Sequence, residues 1–218
     1  MRIVSILLFI LFLSCSGSQK EGAKPPPLKS EEKGEEDFRA QCEVKGDRIE
    51  KSYDLNRDKA IDVREVYNGK TLICREVDLN FDGKMDLFRY YDERGVPRQE
   101  EIDLDKDGRL DIVTYFDERG KIIRQEFDTN YDNKADVWRY FKGDKVERIA
   151  RDIDYNGKPD IWTICKDGKP VKEMLDIDGD GKPEQERKMK IEADEEISVN
   201  ECSSGIEKGR EKEESSEE

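Results

Sequence analysis

Residues 103–127 read DLDKDGRLD IVTYF DERGK IIRQEF, and this stretch decides the fold. It opens with oxygen-bearing side chains at every second position, Asp103, Asp105 and Asp107, then Gly108, and closes at Asp111. A run rich in β-branched and aromatic residues follows, then a Gly-Lys turn, then a second and more polar run. The same plan recurs along the chain. The acidic segments begin at Asp54, Asp78, Asp103, Asp128, Asp152 and Asp176, with successive starts 24, 25, 25, 24 and 24 residues apart. A fixed period of this length marks a stacked-repeat architecture, in which each unit buries its apolar surface against its neighbours.

Within each unit, the second and fourth residues after the acidic segment are large and apolar. They are Phe88 and Tyr90, Val113 and Tyr115, Trp138 and Tyr140, Trp162 and Ile164. Period-two placement predicts a strand with one buried face. The first unit has Arg64 and Val66 instead, as suits the end of an array. The first and fifth positions are also apolar and the third is Glu, Arg or Thr, so the other face is expected to be half wet. Turns containing Gly or Asn then supply the positive φ of tight hairpins. The expected fold is all-β: tandem 24–25-residue β-hairpins in an extended or curled antiparallel sheet, with the acidic loops along one edge. The alternative is a flattened parallel β-roll with one coil per repeat. A leading hairpin over residues 37–53 and a charged closing unit over 184–202 are expected to cap the array.

Six loops place oxygens at positions 1, 3, 5 and 9. In the first these are Asp54, Asn56, Asp58 and Asp62; in the second Asp78, Asn80, Asp82 and Asp86. The third has Asp103, Asp105, Asp107 and Asp111, and the fourth Asp128, Asn130, Asp132 and Asp136. The fifth has Asp152, Asp154, Asn156 and Asp160, and the sixth Asp176, Asp178, Asp180 and Glu184. This pattern resembles the first nine positions of the EF-hand loop, with position 6 the turn glycine and position 7 a backbone carbonyl ligand. The bidentate Glu at position 12 and both flanking helices are missing; only the first loop has Glu there, at Glu65. In that respect the loops are closer to the calcium loops between strands of integrin-type propellers, where position 9 closes the sphere. The hairpin part resembles MORN and YD-type repeats through Tyr/Phe-x-x-x-Gly-Lys.

Converging oxygens suit a hard cation, so calcium is the expected cofactor. Loss of the position-12 ligand predicts affinities near the ~10⁻⁴ to 10⁻³ M of extracellular calcium modules. Magnesium fits poorly because it keeps its water and demands octahedral geometry. Zinc is disfavoured by the absence of His and by scattered cysteines. Lys59 and Asn133 replace the position-6 glycine; the second and third loops rank as the best sites and the first as the weakest.

The chain begins as a targeting segment. Arg2 precedes an apolar run from Ile3 to Leu13, too short for a membrane-spanning helix of ~20 residues. Phe12-Leu13-Ser14-Cys15 resembles a bacterial lipobox, which implies cleavage after residue 14 and a lipid on Cys15. Residues 15–37 then form a polar, proline-containing tether, 38–202 the repeat domain and 203–218 an acidic tail. Export to the cell envelope, with the lipid in the outer membrane, is the expected location. Four further cysteines suggest disulfides Cys42–Cys74 and Cys165–Cys202. In a flat meander those strands would stand ~14 Å apart, so either the ends fold over or the thiols stay free.

No catalytic constellation is visible. The chain has no His, the usual general base, and the patterned carboxylates are committed to the loops. A net charge of −14 disfavours nucleic acid as a partner. The expectation is therefore a calcium-binding, lipid-anchored envelope protein of structural or adhesive role and not an enzyme. The alternative is a module binding envelope polysaccharide or protein through Trp138, Trp162 and Tyr residues, against which stands their reading as packed core.

Overall fold

The computed structural model describes residues 38–189 together with Cys202 and Ser203. The expected leader, Cys15, the tether, nearly all of the acidic tail and most of the closing unit lie outside the described residues. Twelve strands form one antiparallel sheet in strict chain order. They are β1 (Arg48–Tyr53), β2 (Val63–Asn68), β3 (Thr71–Val77), β4 (Leu87–Tyr91), β5 (Pro97–Ile102) and β6 (Ile112–Phe116). The rest are β7 (Ile122–Phe127), β8 (Val137–Lys142), β9 (Lys145–Arg151), β10 (Ile161–Lys166), β11 (Lys169–Leu175) and β12 (Gln185–Lys188). Every acidic loop joins an odd strand to the next even one, and every tight turn joins even to odd. All six loops therefore stand along one long side of the sheet and all five turns along the other. The hairpin array is the fold; the parallel roll is not.

The turns show why sequence so short can set the register. In Asp92–Val96 the Asp92 N–H donates to the Val96 carbonyl at 2.8 Å, and the Gly95 N–H to the Asp92 carbonyl at 2.9 Å. Asp92 Oδ1 also accepts the N–H groups of Arg94 and Val96, both at 2.9 Å. The Asp117 turn repeats this pattern through Arg119 and Lys121. Gly120 sits at φ +76°, and a Cβ there would meet Val96 Cγ1 at 3.3 Å, so the position wants glycine twice over.

The single buried face expected from the sequence is not what forms. Among the described residues no second layer covers the sheet, and both faces are half-buried. One face carries the cross-strand row Tyr90, Gln99, Tyr115, Arg124, Tyr140, Arg148 and Ile164. Here arginines lie on aromatic rings, Arg124 over Tyr115 and Arg148 over Tyr140, each at 4.1 Å. The other face carries a polar row at the third strand positions, and Glu65, Thr114 and Thr163 on it are buried. Glu65 accepts from Arg75 Nε at 2.9 Å and from the Tyr67 hydroxyl at 2.7 Å. Cross-strand pairing satisfies these groups, so a polar row stays dry without a covering layer.

Apolar burial is concentrated toward the ends. Near the start, Cys42, Val66, Ile73, Cys74 and Tyr90 cluster with Phe38 and Phe88 beneath a 3-10 turn, Arg39–Cys42. Further along, Phe141, Val146, Ile149, Cys165 and Cys202 form a second cluster; Ala150, Trp162 and Met174 form a third. Both disulfides form, with Cα atoms 5.2 Å apart in Cys42–Cys74 and 5.6 Å in Cys165–Cys202. The strand-spacing objection fails because Cys42 is not on a strand. The expected leading hairpin is instead the 3-10 turn laid over the sheet, followed by β1 alone. Each bridge closes a loop of more than thirty residues, worth about 4 kcal/mol by chain entropy.

Candidate metal centres

All six loops share one backbone course. Position 4 has positive φ in every copy: Arg57, Phe81, Lys106, Tyr131, Tyr155 and Gly179 at 61–77°. Position 6 has it too: Lys59 at 80°, Asn133 at 71°, and Gly83, Gly108, Gly157 and Gly181 at 85–92°. Two left-handed residues two apart curl the chain, and the side chains at positions 1, 3, 5 and 9 hold that curl. Position 1 accepts the position-6 N–H, as in Gly108 to Asp103 Oδ2 at 2.8 Å and Gly157 to Asp152 Oδ2 at 2.6 Å. Position 3 accepts from position 5, and position 5 from position 7, as in Asp107 to Asp105 at 3.0 Å and Arg109 to Asp107 at 2.8 Å. Position 9 reaches back to the position-2 N–H, as in Leu79 to Asp86 at 2.8 Å and Thr129 to Asp136 at 2.8 Å. These are Asx turns in series: the position-1 carboxylate accepts backbone N–H groups on both oxygens, as Asp103 does from Lys106 and Gly108, while positions 3 and 5 accept on one.

The loops are also joined to one another. The position-9 N–H closes its own loop, as in Asp111 to the Ile102 carbonyl at 2.8 Å. The position-9 carbonyl then accepts the position-1 N–H of the next loop: Asp78 to Asp62, Asp103 to Asp86, Asp128 to Asp111, Asp152 to Asp136 and Asp176 to Asp160, all at 2.8–2.9 Å. Position-7 cations add side-chain ties, Arg109 to the Tyr131 carbonyl at 3.5 Å and Lys158 to the Gly179 carbonyl at 3.3 Å. This ladder draws the position-1 and position-9 carboxylates into the sheet. Asp62, Asp78, Asp86, Asp103, Asp111, Asp128, Asp136 and Asp152 are all buried.

Burying a row of carboxylates is costly unless they are paired or hold a cation. Asp62 is the sharpest case. It is 0% exposed, its Oδ2 accepts from Leu55 and Asn56, and its Oδ1 has no hydrogen-bond partner. A carboxyl oxygen left without a partner in that setting is chemically matched to a hard cation. Elsewhere the oxygens gather closely. Asp176, Asp178, Asp180 and Glu184 each bring an oxygen within 4.8 Å of the others, as do Asp103, Asp105 and Asp111, and Asp152, Asp154 and Asp160. These acidic clusters can hold a metal ion. The grouped Cys42, Cys74 and Glu76 cannot do so through sulfur, because both cysteines are in a disulfide.

The sixth loop assembles the fullest carboxylate set, and the third and fifth each bring three together. In the first and second loops Asn56 and Asn80 donate through Nδ2 to Asp58 and Asp82, at 2.8 and 3.0 Å. That amide, followed by the Lys84 N–H, holds the Asp82 carboxyl below the usual carboxylate range. Asp180 is held low chiefly by the Lys182 ammonium at 2.7 Å. At Asp176 burial pushes upward, but the N–H groups of Gly181 and Gly179 outweigh it and keep the carboxyl ionised. Glu65, the one position-12 acid, points into the sheet face toward Arg75 and Tyr67 and not into its loop. The position-4 conformation escaped the sequence reading because four different residue types other than Gly occupy it in five of the six loops.

Comparison with known proteins adds no family. No family model matches the chain. No curated protein matches it either. Among solved structures, a crystal structure of accessory secretory protein 1,2 and 3 in Streptococcus pneumoniae matches at 15% identity over 52% of this chain and 20% of that one, with a TM-score of 0.36. A GtfA/B complex bound to UDP and GlcNAc matches at 16% identity over 58% and 25%, TM-score 0.38. TarM matches at 12% identity over 54% and 19%, TM-score 0.31. The chain thus spans a quarter or less of those chains, and likenesses this slight carry no argument about its activity.

Proposed function

We propose that this chain is a calcium-binding, lipid-anchored protein of the cell envelope with a structural or adhesive role. The observation that carries the calcium reading is the buried, partnerless Oδ1 of Asp62 within a row of buried loop carboxylates. Charge supports it. The loops hold twenty carboxylates against eight Lys and Arg, a balance of −12 that six divalent ions would cancel. Each loop offers four side-chain oxygens and one carbonyl, five ligands of the six to eight that calcium takes. Such ions would stiffen a sheet that has little apolar core, which is a structural task. The glycan alternative is weakened by the aromatics themselves. Trp162 is only 6% exposed, and arginines cover rings of Tyr115 and Tyr140. Lipidation at Cys15 and an outer-membrane location rest on the lipobox resemblance. The calcium reading is tested by thermal melting in millimolar calcium, in equal magnesium and in chelator. A midpoint raised by calcium alone supports it; a midpoint indifferent to chelator refutes it. Replacing Cys15 with Ala is expected to release an unlipidated form, and a processed variant still in the membrane fraction refutes the anchor.

A further inference from the structure

We propose that the loop side of the sheet, once loaded with calcium, docks on the anionic headgroups of a phospholipid bilayer. The proposal rests on the calcium reading and adds a surface to it. Position 2 of the loops is aliphatic in five of six copies: Leu55, Leu79, Leu104, Ile153 and Ile177. All five are 51–64% exposed, although their backbone N–H groups are tied down by position 9. Position 4 adds Phe81, Tyr131 and Tyr155, again exposed. Those three aromatics hold positive φ of 61–65°, a conformation that costs a bulky residue roughly 1 kcal/mol or more. Neither burial nor backbone preference accounts for them there. With loops two strands apart, these side chains recur every ~10 Å along the loop side. A recurring row of exposed apolar side chains on one side of the sheet marks an interaction surface.

Charge selects the occupant. Position 7 is an exposed cation in five copies, Lys84, Arg109, Lys134, Lys158 and Lys182. Without metal the loop carboxylates outweigh these cations and repel an anionic surface. With calcium the side becomes neutral, the repulsion of an anionic surface is lifted, and five protein ligands leave room in each coordination sphere. A lipid phosphate oxygen is a hard anionic donor suited to that place, while the aliphatic and aromatic side chains enter the interfacial zone.

The test uses the full chain carrying Phe81→Trp, mixed with vesicles of phosphatidylglycerol and brominated phosphatidylcholine, alongside the unsubstituted chain to subtract Trp138 and Trp162. Calcium binding is followed in parallel by calorimetry. The expected result is bromine quenching of the new Trp in calcium, lost in chelator and lost on vesicles without phosphatidylglycerol. Leu79→Ser, Leu104→Ser and Ile153→Ser together, all at exposed positions, are expected to abolish the quenching while leaving calcium heats unchanged. Calcium heats without quenching overturn the membrane proposal alone. Absence of both overturns the calcium reading with it. A calcium-dependent dimer in sedimentation, lost in the triple variant, assigns the stripe to a second copy and also overturns the proposal.

Discussion

Asp62→Asn isolates the metal from the fold. The amide is isosteric, and its oxygen can still accept the Leu55 and Asn56 N–H groups that Asp62 Oδ2 accepts at 2.5 and 3.1 Å. What changes is the partnerless Oδ1, replaced by an uncharged NH₂ group in the same buried place. Two opposing effects follow in the absence of metal: relief of a buried charge, and a cost of ~1–3 kcal/mol for a buried donor without an acceptor. Both are present with or without calcium, so they cancel when the two conditions are compared. The remaining term is the site's own binding free energy. At ten times Kd one site contributes about 1.4 kcal/mol through RT ln(1 + [L]/Kd). The stability gap between wild type and variant should therefore widen by about that amount in calcium, a further Tm separation of roughly 3–6 °C for a domain of this size. Urea or thermal unfolding of both chains, in chelator and in calcium, reads it directly. An equal gap in both conditions refutes the assignment of Asp62 to a cation.

Three further outcomes are expected. Lys59→Gly removes a side chain from φ +80° at the position where four other loops have glycine, and should raise stability by about 1 kcal/mol; a lower Tm contradicts this. Cys202→Ser opens the bridge to Cys165 and uncovers Ile149 and Val146, so the Tm should fall sharply, by up to the ~4 kcal/mol of the closed loop, and an unchanged Tm refutes the clamp. Asp117 is held below the usual carboxylate range, chiefly by the Lys121 N–H. Asp82 is likewise held low by Asn80. Depressed folded values mean that this stability is present above the unfolded pKa of about 4 and is lost as pH falls through the lower folded values. Chelated protein should show that acid loss, and Asp117→Asn should flatten part of it; a midpoint level down to pH 2 contradicts the sign.

The hairpin order was legible because two local signals coincide: the period-two apolar run of the second to fifth units and a Gly-containing turn after each, capped by an aspartate at Asp92 and Asp117. The loop oxygens were legible for the same reason, since alternation of Asp and Asn leaves few other readings. What escaped was set by long-range pairing. Nothing local announces that Glu65 pairs with Arg75 on a dry face, or that Arg124 lies over Tyr115 in the place of a second layer. The 3-10 turn at Arg39–Cys42 was mistaken for a strand because its alternating polarity fits either state, and its bridge to Cys74 decides the matter only in three dimensions. The hydrogen bonds inside the loops are hidden from sequence on a similar ground. Asn80 counts as an oxygen donor in sequence, yet its amide nitrogen is turned onto Asp82.

The central claim is that the six loops are calcium sites wired in series by the carbonyl-to-N–H ladder from Asp62 to Asp176. Because each position-9 residue closes one loop and anchors the next, filling one site should order its neighbour and make binding cooperative. Equilibrium dialysis of the full chain against radioactive calcium, with magnesium as competitor, measures this most directly. The account predicts saturation at six ions per chain, a Hill slope above one, and half-saturation in the ~10⁻⁴ to 10⁻³ M range, undisturbed by equal magnesium. No saturable calcium uptake, or uptake that equal magnesium displaces, would contradict it.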